Sequence, residues 1–147
     1  MIERSKNLVI LGSAREDSNT LKAVVKTFPL NDFTIVDLLK FKIDHYQYSQ
    51  VNTKDDFFSI VEKMVVADTI TFATPVYWYS MSGRMKVFFD RFSDLLGKPA
   101  GRQLAGKTVN LVAVGSSPEL PQGFEVPFLE TSRYLKMNFH KTIYYQI

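Results

Sequence analysis

Hydrophobic positions fall along the chain in two alternating rhythms. Short apolar, β-branched runs recur at "NLVILG" (7–12), "FTIVDL" (33–38), "DTITFAT" (68–74), "TVNLVAVGS" (108–116) and "NFHKTIYYQI" (138–147). Runs of this length and composition predict strands, and the continuously apolar ones predict strands covered on both faces. Between them the period changes to that of a helix. Leu21, Val24, Val25 and Phe28 stand at i, i+3, i+4 and i+7 and predict a helix over 20–28, which Pro29 stops. Phe57, Ile60, Val61 and Met64 predict a second over 55–67, with Asp55 and Asp56 in its first turn, where negative charge complements the helix dipole. Met85, Phe88, Phe89, Phe92 and Leu96 share one face of a third over 82–96, ended by Gly97 and Pro99. A weaker pattern predicts a fourth near 125–136. Residues 39–52 show no period and read as a long loop.

Strands and helices thus alternate through five strands. That order predicts βαβ units with right-handed crossovers and a parallel sheet covered by helices on both sides. The expected architecture is a five-stranded, doubly wound α/β fold, one domain over 1–147. In such folds ligands bind outside the C-terminal ends of the strands.

Composition narrows the classes. A chain of 147 residues suits one domain and buries a core without staples. No apolar run is long enough to span a bilayer, so no membrane partner is expected. The opening "MIERSKN" has no apolar h-region, so a secretory signal is not expected either. A cytoplasmic protein is the default. The chain has no cysteine, which excludes disulfides, thiolate zinc sites, cysteine-ligated iron–sulfur clusters and a cysteine nucleophile within it. His45 and His140 lie far apart without partners at ligand spacing, and no metal site is expected. The net charge of +3 comes from 18 basic and 15 acidic residues mixed along the chain. That excess favours phosphorylated ligands weakly. With no basic stripe or nucleic-acid module present, no nucleic-acid partner is expected.

Three loops follow strand C-termini. "GSAREDSNT" (12–20) leaves the first strand and opens a helix, whose N-terminal amides and partial positive charge suit a phosphate. Ser13, Ser18, Asn19 and Thr20 add short donors, and Arg15 adds a charged fork. Ser18 or Asn19 also reads as a plain helix cap. Neither GxxxxGK[ST] nor GxGxxG is present, so the nucleoside-triphosphate and dinucleotide fingerprints are missing. "TPVYWYS" (74–80) follows the third strand. Pro75 stiffens it, and Tyr77, Trp78 and Tyr79 offer flat surfaces with polar tips, beside free backbone groups at Val76 to Trp78. The same rings could cap the core or fill an interface. The third loop starts at Gly115, which permits close approach, with Ser116 and Ser117 as small donors. Its proline-bearing remainder, 118–126, reads as connection only. With the strands ordered 2-1-3-4-5, the first two loops flank one crevice at the switch point. A ligand with a phosphate tail and a flat conjugated ring would span it, and flavin mononucleotide (FMN) has that shape.

Two segments carry a family resemblance. "GSAREDSNT" resembles the GSxRxxSNT phosphate loop of the NAD(P)H-dependent FMN reductase family of the flavodoxin-like superfamily. "TPVYWYSMSGRMKVFFDR" (74–91) resembles that family's (S/T)PVYxxxMSgxMKxFxDR segment. The resemblance implies a flavodoxin-like fold and an oxidoreductase that binds FMN. By position, Ser13, Arg15, Ser18, Asn19 and Thr20 would hold the phosphate. Pro75, Val76, Tyr77 and Trp78 would border the isoalloxazine, with Gly115 and Ser116 approaching from the other side. Met85 and Phe89 would be packing, and Lys86 a solvated or locally paired residue. The chain is short for the family, and its loop after Gly115 lacks the glycine-rich stretch of many relatives. Without cysteine it falls outside the iron–sulfur flavoproteins.

The implied reaction passes a hydride from NADPH or NADH to the flavin and the electrons on to a small-molecule acceptor: a quinone, an azo or nitro compound, or free flavin. The cofactor carries the chemistry, so no catalytic acid–base residue is assigned. Two alternatives stay open at this stage. One is a flavodoxin-type carrier serving a protein partner, to which the positive charge and Arg15 are poorly suited. The other is a binding module without flavin. The resemblance also implies a homodimer or homotetramer; in such an assembly exposed aromatics such as Tyr46, Tyr48, Tyr77 and Tyr79 would suit the interface, and the loop 39–52 would close over a neighbour's site.

Overall fold

The computed structural model describes residues 7–147, so the expectation for the N-terminal segment lies, apart from Asn7, outside them. The strands are β1 (Asn7–Leu11), β2 (Thr34–Asp37), β3 (Thr69–Pro75), β4 (Thr108–Gly115) and β5 (Asn138–Gln146). The helices are α1 (Asn19–Thr27), α2 (Phe57–Val66), α3 (Gly83–Asp90), α4 (Pro99–Gln103) and α5 (Val126–Tyr134). All strands run parallel in the order β2-β1-β3-β4-β5, the flavodoxin-like order.

Side-chain alternation divides the sheet between two cores. Leu8, Ile10, Ile70, Phe72, Leu111 and Ala113 face α2, α3 and α5. Val9, Leu11, Ala73, Val112 and Val114 face α1, which contributes Ala23 and Val24. The first core is unusually rich in phenylalanine. Phe72 meets Phe89 at 4.9 Å between ring centroids, Phe89 meets Phe128 at 5.0 Å, and Phe88 meets Phe92 at 5.2 Å. Tilted and edge-to-face contacts of this kind add directional preference to apolar burial.

In α1, Val25 of the predicted apolar stripe is exposed, and the buried face is Thr20, Ala23 and Val24. Three further departures concern the later helices. The helix expected over 82–96 stays α-helical only to Asp90 and tightens into a 3-10 turn over Arg91–Leu95. Three residues per turn rotate later positions off the original stripe. Leu95 is therefore buried, while Leu96, assigned to the core face by period alone, is exposed. Second, Pro99 does not merely stop a helix but opens α4, at a first-turn position where its missing N–H is harmless. Third, Asp55 and Asp56 precede α2 rather than filling its first turn. Asp56 is the cap residue without a side-chain cap bond, and Asp55 is the buried partner of Arg91.

Arg91 organises the long irregular segment between β2 and α2. Its side chain is fully buried, with Nη1 at 2.5 Å from Asp55 and Nε at 2.6 Å from Asp94. The same guanidinium donates to the carbonyls of Asp44 and Asn52 at 3.1 and 2.9 Å and lies 4.7 Å from the Phe57 ring centroid. A buried cation requires partners of this number and kind. They fasten the irregular segment against the end of α3.

Candidate functional site

The register brings the three sequence-selected loops to one edge. Leu11 pairs with Ala73, and Pro75 with Val114. The loops after β1, β3 and β4 therefore leave from three neighbouring strands. The chain crosses to one face after β1 and to the opposite face after β3, which opens a crevice between the first two loops.

In the first loop, the Gly12 amide donates to the Ala73 carbonyl at 2.8 Å. Ser13 is buried, and its hydroxyl donates to the Arg15 carbonyl at 3.0 Å, which closes a local turn. Asp17 adopts a left-handed φ of 46°, and the chain then enters α1. Ser18 caps that helix, its Oγ accepting from the Leu21 amide at 3.0 Å. The capping reading of Ser18 is thus correct. It is also compatible with anion binding, because the cap takes only one of the unpaired amides and leaves those of Asn19 and Thr20 for an outside acceptor. Arg15 is exposed, Asn19 half-buried and Thr20 buried.

The aromatic loop is rigid at its base and bare at its tip. The Val76 amide donates to the Val114 carbonyl at 2.8 Å. Tyr77 and Ser80 exchange two backbone hydrogen bonds, at 2.9 and 3.1 Å. Trp78 and Tyr79 between them have φ of 49° and 69°. Two consecutive left-handed residues closed by such a pair make a type I′ turn, which ordinarily selects Asn-Gly. Here it carries two aromatic residues, and Trp78 is 91% exposed. A core-capping role is therefore ruled out for Trp78 and Tyr79. Pro75 and Val76 are half-buried at the base, and Tyr77 is exposed to 45%.

The third loop is held from β5. The Tyr144 hydroxyl donates to the Ser117 carbonyl at 2.6 Å, the Gln146 amide group to the Ser116 carbonyl at 3.2 Å, and the Ile147 backbone amide to the Gly115 carbonyl at 2.8 Å. A Cβ at Gly115 would lie 2.8 Å from the Tyr144 hydroxyl and 3.2 Å from Val76. Gly115 thus lets the loops after β3 and β4 touch. Further on, the segment read as mere connection buries Phe124, which stacks on Phe128 with centroids 6.0 Å apart.

The edge therefore combines a helix N-terminus, an exposed arginine, a stiff aromatic turn and a close-packed glycine. These fit a flat ring joined to an anionic group. Sequence reasoning selected the loops but missed Thr74, Ser82, Tyr144 and Gln146. Ser82, Tyr144 and Gln146 bond to residues distant along the chain, Thr74 bonds to Pro75 and Ser82, and only Ser82 carried a local signal, as a cap for α3. Lys86 pairs with Asp90 at 2.5 Å on the exposed face of α3, as expected. A groove of about 590 Å³ lies away from the crevice, between His45–Tyr48 and the ends of α3 and α5, and none of the sequence-selected residues lines it. Among the described residues no cluster of histidine, aspartate or glutamate could hold a metal ion, and no helix is long and apolar enough to cross a membrane.

Comparison with known proteins agrees with the fold. Over 120 residues the chain is 33% identical to the "Putative NAD(P)H-dependent FMN-containing oxidoreductase YwqN" of Bacillus subtilis strain 168. That match takes in 75% of this chain and 66% of the relative, so the chain spans just under two thirds of the curated relative's length. The solved structure of a Trp repressor binding protein from Bacillus subtilis is 26% identical, with a TM-score of 0.79 over 97% of this chain and 85% of that one. General stress protein 14 of Treponema denticola, solved in complex with FMN, is 19% identical and shares the fold, with a TM-score of 0.68 over 96% of this chain and 86% of that one. The family model described as NADPH-dependent FMN reductase matches residues 5–137, and the chain belongs to that family.

Proposed function

We propose that this protein is an FMN-dependent NAD(P)H oxidoreductase that delivers electrons to a small acceptor: a quinone, an azo or nitro compound, or free flavin. The observation that carries this reading is the juxtaposition, on adjacent strands of an FMN reductase family member, of the α1 N-terminus and the type I′ aromatic turn. FMN, when bound, supplies the two-electron chemistry between nicotinamide and acceptor.

The chain's own residues bind and orient. Ser13 shapes the loop, and Ser18 fixes the start of α1. The amides of Asn19 and Thr20, the Thr20 hydroxyl and the Arg15 guanidinium hold the phosphate. Pro75, Val76, Tyr77 and Trp78 border the ring on one side, with Gly115 and Ser116 on the other. The Val76 and Tyr77 amides, expected to be free, are taken by the Val114 and Ser80 carbonyls, so of the three only the Trp78 amide is left to face a ring. A donor on so rigid a turn can stabilise negative charge on the ring without reorganising, which favours its reduced form. Residues 1–147 act as one FMN-binding unit in the cytoplasm, and NADPH or NADH is the co-substrate. The protein assembles as a homodimer or homotetramer through the exposed aromatic face around Tyr48, Leu96 and Tyr134. A monomer in solution scattering would contradict that assembly.

Steady-state kinetics of the FMN-loaded protein test the reading. NADPH or NADH oxidation should proceed with a quinone as the only other reactant. Turnover that requires an added reductase protein would instead make the chain an electron carrier.

A further inference from the structure

We propose that Thr74 and Ser82 are positioning residues whose hydroxyls hold the phosphate loop and the ring loop at a fixed spacing. This rests on the FMN reading above and extends it to two residues outside the binding set. Thr74 lies in β3, next to its last residue, and is fully buried; Ser82, the cap of α3, is 2% exposed. Their hydrogen bonds join the root of one loop to the root of the other. The Met85 amide donates to Ser82 Oγ at 3.1 Å, and that hydroxyl donates to the Gly12 carbonyl at 2.5 Å. The Ser82 amide donates to Thr74 Oγ1 at 3.0 Å, and that hydroxyl donates to the Pro75 carbonyl at 2.9 Å. Gly12 is where β1 becomes the phosphate loop. Pro75 is where β3 becomes the ring loop.

Helix capping accounts for only one of these four bonds. A serine capping α3 needs to accept from Met85 and has no need to reach Gly12, 70 positions earlier in the chain. The approach is also tight. A Cβ on Gly12 would lie 3.0 Å from the Met85 side chain and 3.1 Å from Ser82 Oγ. Each hydroxyl is used once as donor and once as acceptor, so neither is free to turn toward a ligand.

A fixed spacing benefits only a ligand that engages both loops. When one end is bound, the rigid gap holds the other end at high effective concentration, and a loosened gap loses that advantage. FMN engages both loops, whereas riboflavin lacks the phosphate and engages the ring loop alone. Loss of either hydroxyl should therefore weaken FMN more than riboflavin. A general weakening of the fold would affect both alike.

The test is titration of flavin-stripped protein with FMN and with riboflavin, followed by flavin fluorescence, alongside thermal melts. Thr74→Val and Ser82→Ala should each bind FMN about tenfold more weakly, and riboflavin affinity should change by less than about twofold. Thr74→Ser, which keeps the hydroxyl, should match the wild type. The double variant should be no weaker than the weaker single, because both hydroxyls serve one connection. If Thr74→Val does not fold, Ser82→Ala with the same two ligands decides the question. Equal losses for FMN and riboflavin, or unchanged FMN affinity in the variants, would overturn the proposal while leaving the FMN site intact. Failure of the wild type to take up FMN would overturn the functional reading and this inference together.

Discussion

Gly115 sits where the loops after β3 and β4 come closest, and any side chain there must displace one of them. The Gly115→Ala methyl would meet the Tyr144 hydroxyl at 2.8 Å and Val76 at 3.2 Å. The Tyr144 hydroxyl cannot retreat freely, because it donates to Ser117. Overpacking of this kind costs about 1–3 kcal/mol, which urea denaturation would read, and FMN affinity should fall with it. Arg15 makes the complementary case at the other end of the crevice. If Arg15 holds the phosphate as proposed, Arg15→Ala should weaken FMN binding by roughly tenfold or more, with riboflavin binding little changed. Equal affinity of wild type and variant for FMN, measured by fluorescence quenching, would sink the phosphate assignment. Individual residues differ in how much of this the sequence revealed. Ser18 was legible because capping is local. Trp78 and Tyr79 were legible as aromatics but not as a type I′ turn, since nothing in the residue types selects left-handed backbone there. The reach of Tyr144 to Ser117 was invisible, because it depends on the pairing of β4 with β5.

At the scale of elements, the irregular segment between β2 and α2 depends on one buried cation. Asp55→Asn would leave the Arg91 charge with Asp94 as its only carboxylate partner. Breaking a buried pair from one side costs about 3–5 kcal/mol. The pH dependence follows from the same contact. Burial pushes the Asp55 carboxyl up, but the hydrogen bond from Arg91 and those from the Asp44 and Phe57 amides outweigh it, and the folded pKa lies below the ordinary value. A depressed carboxylate contributes stability in full above its unfolded pKa of about 3.9 and loses it as pH falls through the lower folded value. Urea denaturation across pH 2–7 (a range chosen to bracket about 3.9) should show stability falling below about pH 4, with a shallower fall in Asp55→Asn. Identical slopes would contradict the assignment. Helix periods predicted α2 and the start of α3 because burial follows the 3.6-residue stripe, whereas in α1 the period gave the helix but Val25 of its stripe is exposed and Ala23 beside Val24 is buried. They failed past Arg91, where the ion cluster lies beside a 3-10 turn and the stripe shifts from Leu96 to Leu95. Pairing across 36 residues, as between Arg91 and Asp55, leaves no periodic trace.

For the whole molecule, strand order brings three unremarkable loops to one edge of the sheet. Each loop alone admits a bland explanation: a helix cap, a surface turn, a connection. The register of β1, β3 and β4 places their ends side by side, and the switch of helix face between α1 and α3 opens the crevice. The alternation of strand and helix predicted a parallel, doubly wound sheet, and the flavodoxin-like strand order that brings the loops together came with the family resemblance. The acceptor is not encoded in the alternation, because it is chosen by side chains at the rim rather than by the sheet. The account's central claim is that this crevice binds FMN in a form that nicotinamide can reduce. Anaerobic addition of NADPH or NADH to the FMN-loaded protein, followed by visible absorption, tests it most directly. The account predicts uptake of one flavin per chain and bleaching of its absorption band by at least one of the two nicotinamides; protein that takes up no FMN, or whose bound flavin neither nicotinamide bleaches, would contradict it.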